Sequence, residues 1–379
     1  MSSLSLAAVY HGTPGAISLQ TIATPRPSTS EILVTVEACT LCGSDLHSFE
    51  GRRAVPVPTV LGHEIVGRIA EFGPQAPRTD LSGQPLAVGD RVVWAVVASC
   101  GRCSNCLRDL PQKCEHAVKY GHEAFRPGYE LLGGLADHCL LTPGTAIVRA
   151  PANVSLNTIS PASCATSTIA AAMETAGAVK DLVVCITGGG LLGLTAAAMC
   201  RMQSAAAVVL CDVNPERRSR AAAFGATHTV PPEQLPDVLR QLTGGRGADV
   251  AIEVSGAPAA FQTLWPLLRI GARFVLVGAV FPATPVSFSM DTLVRRNLSV
   301  SGVHNYGPRH LLQAVRFLES AESRFPFASL VSDWFPLSET PAALTAAMNP
   351  ACIRIGVHGQ TLSSPPPPSL RPAEQANPA

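Results

Sequence analysis

The stretch Cys185–Leu194, CITGGGLLGL, decides the fold of this chain, because its glycines follow one apolar run and precede another. Gly188, Gly190 and Gly193 stand in the spacing G-x-G-x-x-G. Glycines so spaced let the backbone approach a pyrophosphate, which the free N–H groups and the dipole of a helix N-terminus attract. The stretch therefore predicts a strand, a turn and a helix that bind a dinucleotide. A glycine-rich turn in another α/β fold is the alternative.

Asp212 is a second sign of a dinucleotide site. It ends the apolar run AVVLCD, 19 residues after Gly193, where a carboxylate accepts hydrogen bonds from the adenosine ribose hydroxyls. A 2′-phosphate would be repelled there, so we predict NAD rather than NADP, although Arg217 and Arg218 lie close in sequence. The cofactor-binding residues that these two motifs predict are Gly188, Gly190, Leu191, Leu192, Gly193, Asp212 and Arg217.

Apolar runs and helix-like stretches alternate from Asp181 onward, which predicts an α/β domain with a doubly wound parallel sheet. Between Glu31 and Val148, short apolar runs separated by Gly, Pro and Asp predict a small β-rich domain. After Tyr306, PRHLLQAVRFLES predicts an amphipathic helix that returns the chain to the first domain. We place the domains at residues 1–178, 179–305 and 306–360, and predict a disordered, proline-rich tail at 361–379.

Four cysteines stand close together in the run CGRCSNCLRDLPQKC, with the spacing C-x2-C-x2-C-x7-C. They are Cys100, Cys103, Cys106 and Cys114. Four thiolates so spaced can form a closed tetrahedral shell around one zinc ion. Two disulfides or four free thiols are the alternatives, but the start of the chain does not resemble a secretory signal. We therefore predict a structural zinc site, which leaves no position for a substrate.

The composition favours a globular enzyme that acts on a small molecule. The 379 residues suggest two domains, and the 47% of hydrophobic residues can fill both cores. A net charge of +1 with 15% charged residues offers no basic field for nucleic acid or a membrane surface. We expect a cytoplasmic protein with neither partner, whose Cys185, Cys200 and Cys211 are buried thiols.

A second set of possible metal ligands lies upstream, in CGSDLH at residues 42–47 and LGHE at residues 61–64. Cys42 and His63 are ligand types that zinc accepts. One Cys and one His 21 residues apart are weak evidence alone, since a single His in a turn is more often a core or surface residue. The evidence strengthens because the same chain also contains the four-cysteine run and the glycine motif.

Together, CGSDLH, LGHE, the four-cysteine run and TGGGLLG resemble the motifs of the zinc-dependent medium-chain alcohol dehydrogenases, over about residues 5 to 358. The resemblance implies a GroES-like β-rich catalytic domain and a Rossmann dinucleotide-binding domain. It implies a catalytic zinc held by Cys42, His63 and Cys164, the last in PASCATSTIAAA. It therefore implies two zinc ions per subunit, NAD as cofactor, and a homodimer or homotetramer.

The resemblance also implies roles for the residues around the catalytic zinc. Three protein ligands leave a fourth position open, where zinc lowers the pKa of an alcohol. Ser44 would take the proton of the alcohol and His47 would pass it to solvent. Asp45 would orient His63. Glu64 either stays behind the metal or becomes a transient fourth ligand, and we predict the transient ligand.

Several nearby residues allow two interpretations. Cys39 forms C-x2-C with the next cysteine but precedes the ligand position, so a packed thiol is favoured. His122, in KYGHEAF, is interpreted as a loop residue rather than a ligand. The resemblance implies that Val277 is a further cofactor-binding residue, near the nicotinamide, and an ordinary strand end is the alternative. The resemblance also implies that Arg354, in CIRIGVH, reaches the cofactor pyrophosphate, since the family often has a basic residue near there.

The sequence limits the substrate only loosely. Arg52 and Arg53 lie near the metal motif and would bind an anionic group, although a solvated charged turn is the favoured alternative. EGRR, KYGHE and SCATSTIAAA also resemble a subgroup proposed to act in phosphonate catabolism. We predict hydride transfer between NAD and a secondary, branched or anionic alcohol, giving an aldehyde or ketone. A non-catalytic NAD-binding structural or redox-sensing relative is the alternative, and a zinc-free quinone reductase relative is a weaker one.

Overall fold

The computed structural model describes residues 3–282 and 284–359. The chain divides into two compact units: the first takes the residues up to Cys164 and from Leu318 onward, and the second is Ala165–Phe317. The second unit thus begins at residue 165 rather than 179, and ends at 317 rather than 305. The predicted disordered tail, 361–379, lies outside the described residues.

The strands are numbered in chain order through both units. They are β1 (Leu4–Tyr10), β2 (Ser18–Ala23), β3 (Ile32–Thr40), β4 (Thr59–Val60), β5 (Glu64–Phe72), β6 (Arg91–Trp94), β7 (Val97–Ala98), β8 (Val118–Lys119), β9 (His138–Leu141), β10 (Ile147–Arg149), β11 (Val183–Thr187), β12 (Ala207–Cys211), β13 (His228–Val230), β14 (Ala248–Glu253), β15 (Leu268–Leu276), β16 (Ser299–Gly302), β17 (Val331–Pro336) and β18 (Arg354–His358).

The α-helices are numbered in the same way. They are α1 (Gly43–Phe49), α2 (Ser104–Leu107), α3 (Leu156–Ile159), α4 (Ala165–Ala176), α5 (Leu191–Met202), α6 (Pro215–Ala221), α7 (Leu235–Thr243), α8 (Pro258–Leu264), α9 (Met290–Arg295), α10 (Pro308–Ala321) and α11 (Thr340–Ala347). Among the described residues, no helix is both long and apolar enough to cross a membrane.

The second unit is built on a parallel sheet with the strand order β13-β12-β11-β14-β15-β16. The direction in which successive strands are added to the sheet reverses at β11. Parallel sheets of this kind bind ligands at the carboxyl ends of the strands beside such a reversal, here β11, β12 and β14. Strands β11, β12 and β14 are nearly continuous apolar runs and are buried, as expected of strands covered on both faces. The predicted doubly wound α/β fold is confirmed.

Strands of mostly antiparallel pairing dominate the first unit. Its main sheet has the order β10-β6-β5-β3-β18-β17, with β9 also paired to β3. A three-stranded sheet, β2-β1-β4, and the pair β7-β8 complete it. Strand β18 pairs with β3 antiparallel, so the chain does return to the first domain after the second unit. The predicted GroES-like β-rich domain is confirmed.

The boundary of the second unit reflects the packing of α4. This helix packs against α5, β14 and β15 of the second unit. Glu174 on α4 also pairs with Arg309 and His310 at the start of α10. An Ala-rich sequence such as ATSTIAAAMETA can pack on either side of a domain boundary, so its periodicity alone did not place it.

Candidate metal centres and dinucleotide site

The four cysteines of residues 100–114 meet around one point, and we call this segment the cysteine lobe. Their sulfur atoms all lie within 4.8 Å of one another. Cys103 Sγ is 3.5 Å from Cys106 Sγ and 3.9 Å from Cys114 Sγ, and none of the twelve cysteines forms a disulfide. A tetrahedral ZnS₄ centre with bonds of about 2.3 Å separates its sulfurs by about 3.8 Å. The donor set therefore fits a structural zinc ion.

Backbone N–H groups point at the sulfurs of the cysteine lobe. Cys100 N–H donates to Cys114 Sγ at 3.2 Å, and Glu115 N–H donates to Cys103 Sγ at 3.5 Å. The hydrogen bond from Glu115 is the largest of the effects that lower the pKa of Cys103 to about 6. Such donors stabilise thiolates, and thiolates are the form that binds metal. Backbone N–H groups of the lobe's own turns thus stabilise the thiolates that zinc would bind.

Cys42, His63 and Cys164 form the second group, which we call the open triad. One ligand atom from each lies within 4.8 Å of the others, and the Cys42 and Cys164 sulfurs are 4.0 Å apart. The three residues come from the start of α1, the end of the loop before β5, and the turn before α4. Ser163 Oγ donates to His63 O at 3.1 Å, which ties that turn to the β5 loop. Two thiolates and one imidazole are a donor set that fits catalytic zinc.

Asp45 orients both the chain and the imidazole of the open triad. It is 1% exposed, and its Oδ2 accepts from Cys42 N–H at 2.9 Å. Its Oδ1 accepts from Gly62 N–H at 3.1 Å and lies 3.2 Å from His63 Nδ1. A proton on Nδ1 leaves Nε2 free to bind a metal. Burial alone would lower the pKa of His63, but Asp45 and Cys42 raise it to about 10 when no metal competes.

Glu64 is paired with Arg354 beside the open triad. The guanidinium Nε and Nη2 each donate to a Glu64 carboxylate oxygen at 2.8 Å, and Thr40 Oγ1 donates to Oε2 at 2.6 Å. Arg354 Nη2 also lies 3.6 Å from Cys42 Sγ. The pKa of Cys42 is held well below its ordinary value, first by a hydrogen bond with Cys164 and then by Arg354 and His63. Arg354 thus pairs with Glu64 instead of reaching for a pyrophosphate.

Ser44 and His47 lie one turn apart on α1, and so they share a face of the helix. Ser44 Oγ is 3.3 Å from His63 Nε2, the nitrogen that a metal would take. His47 is half-buried, and its pKa is lowered from the ordinary value of 6.5 by burial and then by Arg52. His47 is therefore neutral around pH 7, and a neutral imidazole can accept a proton.

The glycine motif has the backbone that its spacing predicts. Gly188 follows β11 with φ of +105°, a conformation that side chains other than glycine rarely adopt. A Cβ atom on Gly193 would overlap the carbonyl oxygen of Gly188, whereas one on Gly190 would point into open space. That open side lies at the N-terminus of α5, where the N–H groups of Leu191 and Leu192 have no acceptor within the helix. The turn therefore fits a pyrophosphate.

Asp212 lies directly after β12 and beside the glycine turn. It is 7% exposed, and its Oδ2 accepts from Gly189 N–H at 2.6 Å while Oδ1 accepts from Asn214 N–H at 2.7 Å. The Nε of Arg217 is buried and has no hydrogen-bond partner among the described residues, so it is free for a ligand. Val277 follows β15, is 4% exposed, and donates its N–H to Glu253 O at 2.8 Å. All the predicted cofactor residues belong to the second unit.

Two family models match this chain. The alcohol dehydrogenase GroES-like domain matches residues 28–152, and the zinc-binding dehydrogenase domain matches residues 192–320. The 5-exo-hydroxycamphor dehydrogenase of Pseudomonas putida is 30% identical over 335 residues, which are 86% of this chain and 91% of that protein. An L-threonine 3-dehydrogenase of Pectobacterium atrosepticum is 31% identical over 289 residues, 74% of each chain.

Solved structures agree with the sequence comparisons. The alcohol dehydrogenase of Thermotoga maritima superposes with a TM-score of 0.87, at 26% identity, over 94% of this chain and 100% of its own. The chain belongs to the zinc-dependent medium-chain alcohol dehydrogenase family. It is thus an oxidoreductase of a class that uses zinc and a nicotinamide dinucleotide.

Sequence reasoning missed some neighbours of the open triad. Thr40 and Arg354 bond Glu64, yet the three lie far apart in the chain. Only the pairing of β18 with β3 and of β3 with β5 brings them together. A buried Glu demands a cation nearby, and that requirement was the one available signal.

Proposed function

We propose that this protein is an NAD-dependent alcohol dehydrogenase that oxidises a secondary, branched or anionic alcohol to a ketone or aldehyde. The observation that supports it best is the open triad, because three ligands of this type leave zinc one position for a substrate oxygen. A zinc ion held there supplies Lewis acidity toward that oxygen, and a bound nicotinamide supplies the hydride acceptor.

The chain's own residues would position the alcohol and move its proton. Ser44 Oγ, next to His63 Nε2, would accept the hydroxyl proton and release its own proton toward the neutral imidazole of His47, which would pass a proton on to solvent. Asp45 would keep the Nδ1 proton on His63 and so keep its other nitrogen free. Glu64 as a transient ligand stays part of the proposal, and it would require the Arg354 pair to open.

The decisive experiment is NADH formation by the zinc-loaded protein with a panel of primary, secondary, polyol and anionic alcohols. We expect activity with at least one class, and a loss of about 10³-fold or more in Cys42→Ala, since zinc loses a ligand. Cys39→Ala is the matched control, because Cys39 is a buried thiol outside the open triad. Full zinc and NAD binding without any oxidation would favour a non-catalytic relative.

The preference for NAD is also part of the proposal. A bound 2′-phosphate would face the Asp212 carboxylate, whereas Arg217 Nε would favour it. We expect Asp212→Gly to raise kcat/KM with NADP about 10-fold relative to NAD, since one like-charge repulsion is removed. Complete rejection of NADP by this variant, measured with the same alcohol, would show that Asp212 does not set the preference.

The protein is further proposed to form a homodimer or homotetramer. Strand β16 is the edge of the parallel sheet, and Val300 on it, with Met290 and Val294 on α9, is an exposed apolar side chain. Apolar side chains at a sheet edge suit pairing with a second copy. Size-exclusion chromatography with light scattering would measure the mass of the protein in solution. A monomer at micromolar concentration would contradict the proposal.

A further inference from the structure

Three basic side chains beside the open triad have no role in the proposed chemistry. We call Arg53, Lys119 and His122 the basic cluster. Arg53 Nη1 lies 2.7 Å from His122 Nε2, and the His122 ring lies against that of His63 with centroids 5.2 Å apart. Burial and then the Arg53 charge lower the pKa of Lys119, while the charges of Cys164 and Glu123 oppose them. The basic cluster therefore borders His63, one of the three predicted metal ligands.

The hydrogen bonds of His122 determine how Arg53 is held. His122 Nδ1 is 2.8 Å from Tyr120 O, and a carbonyl oxygen can only accept, so Nδ1 carries the proton. In the neutral ring Nε2 is then an acceptor, and Arg53 donates to it. The ring is 8% exposed. A neutral, buried acceptor thus fixes the Arg53 guanidinium without offsetting its charge.

Two carboxylates around the basic cluster are already paired with other arginines. Glu50 pairs with Arg52, and Glu64 pairs with Arg354. Glu123 Oε1 accepts from the backbone N–H of Lys119 at 2.8 Å, and the Glu123 charge raises the pKa of Lys119, although the two side chains form no ion pair. Within residues 3–282 and 284–359, no carboxylate forms an ion pair with the side chain of Arg53 or Lys119.

Zinc in the open triad would not supply a counter-charge either, because its two positive charges would be matched by the two thiolates. Half-buried cations without an anion are unfavourable unless a ligand brings one. Arg offers a planar fork that suits an oxyanion, and Lys adds a compact charge.

We propose that Arg53 and Lys119 bind an oxyanion of the substrate, a carboxylate or a phosphorus oxyanion, so that the substrate is an anionic hydroxy compound. The inference rests on the proposed alcohol dehydrogenase activity and names its substrate class. It separates the two neighbouring arginines: Arg53 is held by His122, whereas the side chain of Arg52 is 59% exposed and pairs with Glu50. Arg52 is thus a matched control.

The test compares hydroxycarboxylates and hydroxyphosphonates with their neutral methyl esters as alcohols for NADH formation. The quantity measured is the ratio of kcat/KM for each anion to that for its ester. We expect the wild-type protein to prefer the anion, and Arg53→Gln and Lys119→Met to lower the ratio about 10- to 100-fold. Arg52→Gln should change it less than about 2-fold. The carboxylate and phosphonate arms identify the oxyanion.

His122 acts through Arg53 and is therefore a positioning residue. His122→Phe removes the acceptor, and we expect it to raise KM for the anionic alcohol with a smaller effect on kcat. Loss of folded protein would lower the apparent kcat instead. Measuring KM and kcat separately therefore distinguishes a positioning role of His122 from a role in folding.

Different failures would have different meanings. Oxidation of the esters with no preference for anions, and equal ratios in all variants, would overturn the inference and leave the proposed function standing. If no alcohol is oxidised, the proposed function fails, and calorimetric binding of inorganic phosphate decides the oxyanion site. Weaker phosphate binding by Arg53→Gln than by Arg52→Gln would support the site, and equal binding would overturn it.

Discussion

The cysteine lobe and the open triad both offer zinc ligands, but the lobe takes them from neighbouring residues and the open triad from residues far apart in the sequence. The lobe takes four sulfurs from the 15 residues 100–114, whereas Cys42 and Cys164 are separated by 122 positions. The lobe has a complete tetrahedral donor set, and the open triad has three ligands. A local set can be closed and structural, while a set assembled by the fold can leave a position for chemistry.

The two groups also differ in what supports them. The lobe sulfurs accept backbone N–H groups, as Cys103 does from Glu115. The open triad depends on side chains, above all Asp45 and the Glu64–Arg354 pair. Substitutions of neighbouring side chains should therefore tune the open triad and leave the lobe unchanged.

The largest expected effect is loss of the lobe. Cys103 is 8% exposed, and Cys103→Ala removes a sulfur that lies 3.5 and 3.9 Å from two other sulfurs of the lobe. We expect loss of one zinc and about 3 to 5 kcal/mol of stability, because metal binding holds this loop folded. Thermal unfolding should show Tm lower by roughly 10 °C. Cys352→Ala, a half-buried cysteine outside both groups, is the control, and an unchanged Tm in Cys103→Ala would contradict the structural role.

A smaller effect should follow from substitution of His47, which lies near the open triad but is not one of its three ligands. Its pKa is lowered below 6.5 by burial and Arg52, so it accepts a proton at neutral pH and loses that ability as the pH falls through the lowered pKa. The rate of alcohol oxidation should therefore fall on the acid side below pH 6.5. His47→Gln should lower kcat about 10²-fold and remove that limb. An acid limb that survives in the variant would exclude His47 as its source.

The smallest predicted effect concerns Asp45, which holds His63 in place but is not itself a predicted metal ligand. Asp45→Asn keeps the shape beside His63 but removes the charge, so zinc affinity at the open triad should fall about 10- to 100-fold. Competition with a chelator measures it, and the lobe zinc should be unaffected. Asp80→Asn is the control, because Asp80 is also buried but bonds Ser82, Gln84 and Arg149 instead. Equal zinc affinity in wild type and Asp45→Asn would refute the orienting role.

The lobe and the glycine turn were predictable because each is local. Their spacing alone indicated thiolates around one ion and a strand–turn–helix, and Gly188 has the backbone that the motif requires. The parallel sheet was also readable from alternating runs, but the short strands β13 and β16 carry too few apolar residues to stand out.

The open triad could not be assembled from spacing. Cys164 was identified by resemblance, since the turn that carries it is fixed by tertiary contacts such as Ser163 to His63. The Arg354–Glu64 pair and the Arg53–His122 bond join residues 290 and 69 positions apart, and no local pattern encodes them. Both depend on burial, which decides which charges need a partner.

The most direct test of two distinct zinc centres is the number of zinc ions per chain, measured beside activity and Tm. We predict two in the wild-type protein and one in each of Cys42→Ala and Cys103→Ala. Cys42→Ala should lose activity while its Tm stays near that of the wild type. Cys103→Ala should unfold at a lower Tm. One zinc in the wild-type protein, or two in Cys42→Ala, would contradict the account.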